Sequence, residues 1–459
     1  MFESCVGLLD VMRGAQRDER AATARKVIAA GRFFLQRRAA LGGTHDDWCV
    51  DDWDVIAAEV AAELGVSRGR ASSWMDHGHV LIERLPMVAQ VFVAGLIDYR
   101  VIRIVAFRTA LLLDGQAIAA IDEMLAYQTP GWNTLSDQRV AQLVDWMVLD
   151  VDPDALRVAR ERDEDRHLEV SADHSGMAEI WGRVRATEGA ALNVKLDALA
   201  ATVCRDDPRT KRQRRADALT ALVDGDAVMG CLCESERCPA AGKGARSSSV
   251  VIHVLAEGAT LDGRGATSGW VAGYGALPPA AVGELAKTAR LKPVPIPKEA
   301  GAEPRYRPSA ALAEFVRSRD VTCRWMGCDK PAWQADIDHS VPYPLGPTHP
   351  SNTSCLCRFH HLLKTFHCGP GGWQVAQRDD GTMIFTTPSG RVHTTEPLGA
   401  QLFPQLGIPT GIVVTSEGAP HRGSAMPRRQ RSRAKDRAQR INWERNVNRA
   451  RYAANPPPF

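Results

Sequence analysis

With 459 residues, the chain is long enough for two or three domains with ordinary hydrophobic cores. Apolar residues at 44% and charged residues at 24% exclude a miniprotein and a mostly disordered chain. The formal charge of +3 hides an asymmetry: from Arg422 onward 11 basic residues face 2 acidic ones, so this tail carries +9 and the preceding chain −6. A basic tail on an acidic body predicts a polyanionic partner at that end. The most apolar stretch, residues 101 to 121, is broken by Arg103, Arg108 and Asp114, too charged for a membrane span. The N-terminus has no basic region followed by an apolar one, as a secretion signal would. The expectation is a cytoplasmic protein without a membrane partner. Thiols are reduced there, so the 11 cysteines point to metal rather than to disulfides.

In chain order, residues 1 to 20 read as a leader segment and residues 21 to 165 as mostly helix. Apolar residues at helical spacing over 24 to 41 end at Gly42-Gly43. Residues 56 to 75, with Gly65 before a Ser67 N-cap, fit either a helix-turn-helix or an ordinary helical hairpin. From His167 the period falls to two, predicting a β-hairpin that turns at His174-Ser175-Gly176. Helices follow over 187 to 203 and after Thr210. The second carries Lys211, Arg212, Arg214 and Arg215 behind Arg209, a basic face that is either solvated or directed at phosphates. Residues 249 to 256 read as a strand joining the earlier hairpin. Cys231, Cys233 and Cys238 form either a three-thiol knuckle, with His253 the nearest downstream fourth ligand, or a reduced loop.

Residues 277 to 308 hold seven prolines, with room for one short helix before an extended linker over 292 to 308. The predicted organisation is a helical α+β domain over 21 to 280, a linker over 281 to 308, a small domain over 309 to 400 and a basic tail over 401 to 459.

The small domain carries the chemistry. Cys323 and Cys328 are separated by four residues, and Cys357 and His360 by two, the paired spacing of a structural Zn²⁺ site. Interleaved with them are Asp338-His339 near the end of a predicted strand, Asn352 beyond a loop rich in proline, and His361 early in a helix over 358 to 367 closed by Gly369. An imidazole that titrates near neutrality suits a general base, and a carboxylate with a neutral imidazole suits a divalent cation. Because His360 and His361 are adjacent and Cys355 lies two before Cys357, the ligand register can shift by one position. Helix geometry lets one histidine face zinc and the other a second ion. Cys355 and Cys368 read as packing residues.

These positions resemble the HNH endonuclease motif on a zinc-stapled ββα-metal fold. The resemblance implies that His339 is the general base and that Asp338 and His361 hold the catalytic ion, Mg²⁺ or another divalent cation. It further implies that Asn352 orients the base and its loop, and that Cys323, Cys328, Cys357 and His360 hold the structural Zn²⁺. Segments such as RLPMVAQVFVAGLIDYRVIRIVA, GMAEIWGRV, DPRTKRQRRADAL and PAWQADIDHSVPYPLGPTHPSN extend the likeness over most of residues 20 to 450. They resemble the mycobacterial and actinobacterial thirteen-E-twelve repeat family, in which a helical domain of unknown function precedes an HNH domain.

Lys364 is placed either on a backbone phosphate or in solvent, and Arg428, Arg429, Arg431 and Arg433 along DNA. Residues 371 to 395 read as a β-meander turning at Asp380-Gly381 and Ser389-Gly390, with Trp373, Val375, Ile384 and Phe385 packing inward. The functional expectation is a metal-dependent DNA endonuclease. A non-catalytic zinc-containing DNA-binding protein and a nuclease acting on RNA are the alternatives.

Overall fold

Helix formation dominates the first 157 residues because side chains stop and start the helices at short intervals. The computed structural model describes residues 5–157, 166–172, 177–233, 235, 237–238, 251–297, 301–416 and 425–454. The predicted hairpin turn at 174 to 176 and the start of the strand over 249 to 256 lie outside them. So do a few linker and tail positions.

The chain forms two compact units, one made of residues 1–158 with 292–459 and the other of residues 159–291. In the first, helix Cys5–Leu41 runs through the segment expected as a leader and ends at Gly42 and Gly43, both in the left-handed region. Helix Asp52–Leu64 starts where the Asp51 carboxylate accepts from the Asp54 amide, and it ends on Gly65 at φ 61°. Ser67 then caps helix Arg68–Glu83. Helices Pro86–Val93, Tyr99–Arg108, Gly115–Gln128 and Asp137–Val151 complete a bundle whose core includes Phe34, Ile56, Met75, Phe92, Ile102 and Val144.

One crossing in this bundle depends on glycine. A Cβ on Gly31 would lie 2.4 Å from the Gly78 carbonyl carbon, and one on Gly78 would lie 2.1 Å from the Val27 carbonyl oxygen. Helices Cys5–Leu41 and Arg68–Glu83 therefore meet backbone to backbone. The turn between helices Asp52–Leu64 and Arg68–Glu83 is covered: Gly327 sits against the Val66 carbonyl, and the Arg68 guanidinium lies 4.1 Å over the Phe359 ring. The helical hairpin is thus a packing element, and Ala71, Trp74, Met75, Val80 and Leu81 of its second helix are buried.

The C-terminal part of this unit contains helix Ala310–Asp320, the antiparallel strands Asp336–His339 and Thr353–Leu356, and helix Arg358–Phe366. The expected meander follows as a three-stranded sheet with Met383–Thr386 between Gln374–Gln377 and Val392–Thr395. The linker boundary does not isolate this part from the N-terminal helices. Val50, Val55, Ala58 and Ala62 share one core with Cys323, Trp325, Leu356, Leu363, Trp373 and Phe385.

The basic tail forms helix Arg433–Ala454, held by Arg445 on Asp152 at 2.7 Å and by Asn448 on the Asp154 carbonyl at 2.8 Å.

In the second unit, among the described residues, strands His167–Ala172 and Ala178–Arg183 pair only with each other, and both are largely exposed. The strand expected to join them is instead Val254–Leu255, which pairs with Gly269–Val271, itself paired with Gly275–Leu277. The nearer partner wins because closing a short loop costs less entropy than reaching back to the hairpin. Helices Ala186–Ala200 and Lys211–Asp224 pack on each other, the latter opened by a Thr210–Gln213 capping box. The chain is therefore mixed α and β, as expected, and among the described residues no helix is long and apolar enough to cross a membrane.

Candidate functional site

Cys323, Cys328, Cys357 and His360 converge, with their ligand atoms within 4.8 Å of one another. Cys323 Sγ lies 3.4 Å and Cys357 Sγ 3.3 Å from His360 Nδ1, and Cys328 Sγ lies 4.0 Å from Cys357 Sγ. A tetrahedral Zn²⁺ with bonds of about 2.3 Å to sulfur and about 2.0 Å to nitrogen sets edges of about 3.8 Å and about 3.5 Å. The donor set and its spacing fit such an ion, so this cluster could bind a metal such as zinc.

The chain enters this knuckle through Val321 at φ 60°, ψ −41°, a three-residue turn in which the Thr322 amide donates to the Asp320 carbonyl at 2.6 Å. A β-branched residue rarely adopts this conformation. Asp320 is pinned by the Cys355 amide at 2.7 Å and by Arg319 at 2.8 Å. His360 stacks on the Trp325 indole, with ring planes 3° apart.

The second constellation rests on strand periodicity. Asp336 and Asp338, two residues apart, both meet His361 on helix Arg358–Phe366. His361 Nδ1 hydrogen-bonds Asp336 at 2.8 Å and Nε2 lies 3.4 Å from Asp338 Oδ1, so both carboxylates favour the protonated ring, and a cation held here would take the place of the Nε2 proton. Two adjacent ligands of an octahedral ion at about 2.1 Å stand about 3.0 Å apart, so a small closure lets both atoms reach one cation.

Lys364 does not point to solvent. It is buried, donating to Asp338 Oδ2 at 2.7 Å and to the His339 carbonyl. Burial alone would raise the Asp338 pKa, but Lys364 and His361 outweigh it and hold it at about 2. Burial also works against a charge on His361, yet Asp338 and Asp336 raise its pKa.

His339 ends the strand, and its imidazole is buried under the Tyr306 ring, 5.4 Å between centroids and 17° between planes. Its Nε2 lies 2.8 Å from Thr348 Oγ1, whose hydroxyl donates to the Arg305 carbonyl. With the hydroxyl donating to that carbonyl, Thr348 Oγ1 is free to accept from Nε2–H, an arrangement that leaves Nδ1 with the basic lone pair. Desolvation lowers the His339 pKa, with Asp338 opposing and Lys364 adding to the effect. The imidazole is therefore neutral near pH 7.

Asn352 closes the loop after the strand. Its Oδ1 accepts from the Val341 amide at 2.8 Å, and its Nδ2 donates to the Val341 and Pro347 carbonyls at 3.0 and 2.9 Å. Beneath it the buried Arg319 donates to the Pro350 and Thr353 carbonyls, both at 2.7 Å. The structure thus brings Asp338, His339, Asn352 and His361 onto one strand–loop–helix unit beside the Cys/His cluster.

The tail arginines fall elsewhere. Arg429 and Arg433 each reach Asp54 at 3.0 Å, and Arg433 also meets Asp51 at 3.0 Å. Arg428 pairs with Asp47 at 2.9 Å, and Arg431 donates to Gln439. Three of these four are therefore ion-paired within the chain, and Arg429 and Arg433 anchor the tail. Cys355 is fully buried and Cys368 donates to the Thr365 carbonyl at 3.4 Å, both as packing residues.

Asp336, Thr348 and Tyr306 escaped the sequence reading. Alternation along ADIDH could have marked Asp336. Tyr306 and Thr348 lie in irregular segments where no periodicity points to the site.

The chain belongs to the family described as a domain of unknown function, DUF222, whose profile matches residues 14–320 and so ends before Cys323. It is 40% identical to the uncharacterized protein Rv2100 of Mycobacterium tuberculosis (strain ATCC 25618 / H37Rv), an alignment covering 98% of this chain and 89% of that one. It is likewise 40% identical to the uncharacterized protein Rv3776 of the same strain, over 95% of this chain and 89% of the relative. An uncharacterized Mycobacterium tuberculosis protein in the est 3′ region is 37% identical over 67% of this chain and 95% of its own. No solved structure matches the chain.

Proposed function

We propose that the chain is a metal-dependent endonuclease of the HNH type that hydrolyses phosphodiester bonds in DNA. The observation that carries this reading is the contact of His339 Nε2 with Thr348 Oγ1 at 2.8 Å, from which we assign the ring proton to Nε2. Thr348 holds Nε2–H, so the basic Nδ1 is presented on the same unit as the Asp338–His361 pair.

Mg²⁺ or another divalent cation held by Asp338 and His361 would stabilise the charge that develops on the phosphate and the leaving oxygen. His339 Nδ1 takes the proton of the attacking water, and its depressed pKa keeps it competent as a base at neutral pH. Thr348 and the Tyr306 ring fix the imidazole plane. Asn352 fixes the loop beyond it, and Asp336 fixes the His361 tautomer. Zn²⁺ on Cys323, Cys328, Cys357 and His360 would staple the knuckle to helix Arg358–Phe366.

A non-catalytic nucleic-acid-binding reading draws on Lys364, whose ammonium already neutralises Asp338 without a cation.

Supercoiled plasmid incubated with the full chain in Mg²⁺, Mn²⁺ or EDTA tests the proposal, with His339→Ala alongside and zinc measured on both proteins. Metal-dependent nicking lost in His339→Ala at equal zinc content is the expected result. Absence of nicking by folded, zinc-loaded protein in every ion overturns it. Cleavage of single-stranded RNA but not of plasmid redirects it to RNA.

A further inference from the structure

Among the described residues, a second group of thiols converges within the unit of residues 159–291. Cys204, Cys231, Cys233 and Cys238 place their sulfur atoms within 4.8 Å of one another, with Cys204 Sγ 3.5 Å from Cys231 Sγ. The sequence offered only three of these thiols, with His253 as the downstream candidate. The fourth member comes from 27 residues upstream, in the loop between helices Ala186–Ala200 and Lys211–Asp224. We propose that Cys204, Cys231, Cys233 and Cys238 form a tetrahedral site for a structural Zn²⁺.

The geometry favours an ion over a disulfide. A bonded sulfur pair would stand about 2.05 Å apart, whereas four thiolates around one Zn²⁺ stand about 3.8 Å apart. The observed 3.5 Å separation is close to the second value. Cys233 and Cys238, separated by four residues, supply a knuckle of ordinary ligand spacing, tightened by the Cys238 amide on the Ser235 carbonyl at 3.0 Å. Four soft thiolate donors select zinc or iron over magnesium or calcium.

The surrounding hydrogen bonds hold the two ligand loops together from outside the cluster. The Met229 amide donates to Thr202 Oγ1 at 2.9 Å, and the Leu232 amide donates to Asp207 Oδ2 at 3.0 Å. Arg209 bridges the same loops, donating to Asp207 at 2.7 Å and to the Gly230 carbonyl at 2.8 Å. These contacts position Cys204 against Cys231 without using a sulfur atom.

The local core also needs such a staple. Its buried members are Leu199, Ala200, Val203, Ala218, Ala221, Met229 and Cys231, four of them only Ala or Cys. So small an apolar cluster gives little stability alone, and metal binding would supply folding free energy directly. The site is independent of the nuclease reading, because none of its residues belongs to the Cys323–His361 region.

The test is metal analysis of tag-free full chain, purified under reducing conditions. Two Zn²⁺ per chain are expected, falling to one in Cys204→Ser and to one in Cys323→Ser. One Zn²⁺ in the parent protein, unchanged by Cys204→Ser, or iron in this cluster, overturns the proposal.

Because Cys204→Ser can misfold, the parent protein is also alkylated with iodoacetamide and its cysteines read by mass spectrometry. Cys204, Cys231, Cys233 and Cys238 should resist alkylation in reductant and react together once a chelator is added. Reaction in reductant alone, as for an open loop or a disulfide, overturns the proposal. So does protection that persists with both reductant and chelator, which would be burial alone.

Discussion

Replacing Asn352 by Asp isolates the device that holds the loop beyond His339. The substitution keeps the side-chain volume and keeps Oδ1 as the acceptor for the Val341 amide at 2.8 Å. It places a carboxylate oxygen where Nδ2 now donates to the Val341 and Pro347 carbonyls at 3.0 and 2.9 Å. Two hydrogen bonds are lost and two buried acceptors are left facing a negative charge, a local cost of about 2–4 kcal/mol. Gly346 leaves no room to relax, since a Cβ there would already lie 2.5 Å from Asn352 Nδ2.

Amide exchange of the peptide spanning Val341, followed by mass spectrometry, reads this cost locally. At pH 8 the Asn352→Asp loop should exchange about 30-fold to about 1,000-fold faster than the parent. The introduced carboxyl is more basic in the folded loop than in the unfolded chain, because once protonated it can donate to one of the two carbonyls. The penalty is therefore full above the folded pKa and shrinks as pH falls through it, so the rate ratio at pH 5 should be smaller than at pH 8. A ratio near one at pH 8, or a large ratio that does not change with pH, refutes the role assigned to Asn352.

Two further outcomes follow from the packing. Gly78→Ala drives a methyl into the Val27 carbonyl at 2.1 Å and should lower the midpoint of thermal unfolding, at a cost of about 1–3 kcal/mol. Gly14→Ala, with open space around its Cβ on the partner helix Cys5–Leu41, should be neutral or stabilising by about 0.5–1 kcal/mol; equal effects would contradict the crossing described. Removing Arg429 and Arg433 together leaves the buried Asp51 and Asp54 with Arg68 as the remaining partner of Asp54. Limited proteolysis should then release helix Arg433–Ala454 at trypsin levels that leave the parent intact, and unchanged protection would refute the anchoring.

The convergence of residues within the Cys323–His361 segment was legible because its information is local. Ligand pairs with four and two residues between them, an acid–imidazole dipeptide at a strand end and a histidine one turn into a helix carry their geometry in their spacing. The helix after Thr210, the turns of the meander and the helix end at Gly42-Gly43 were readable for the same reason.

Tertiary structure decided what depends on distant partners. It buried Lys364 on Asp338, turned two tail arginines inward onto Asp51 and Asp54, and brought Tyr306 and Thr348 to His339 from segments without periodicity. It also supplied Cys204 to the three downstream thiols and gave residues 50 to 62 a core in common with Cys323 and Trp325. Spacing along the chain encodes what one turn or one strand can bring together. Which charge meets which carboxylate, and which cysteine completes a cluster, is fixed only when buried groups from remote segments must satisfy one another.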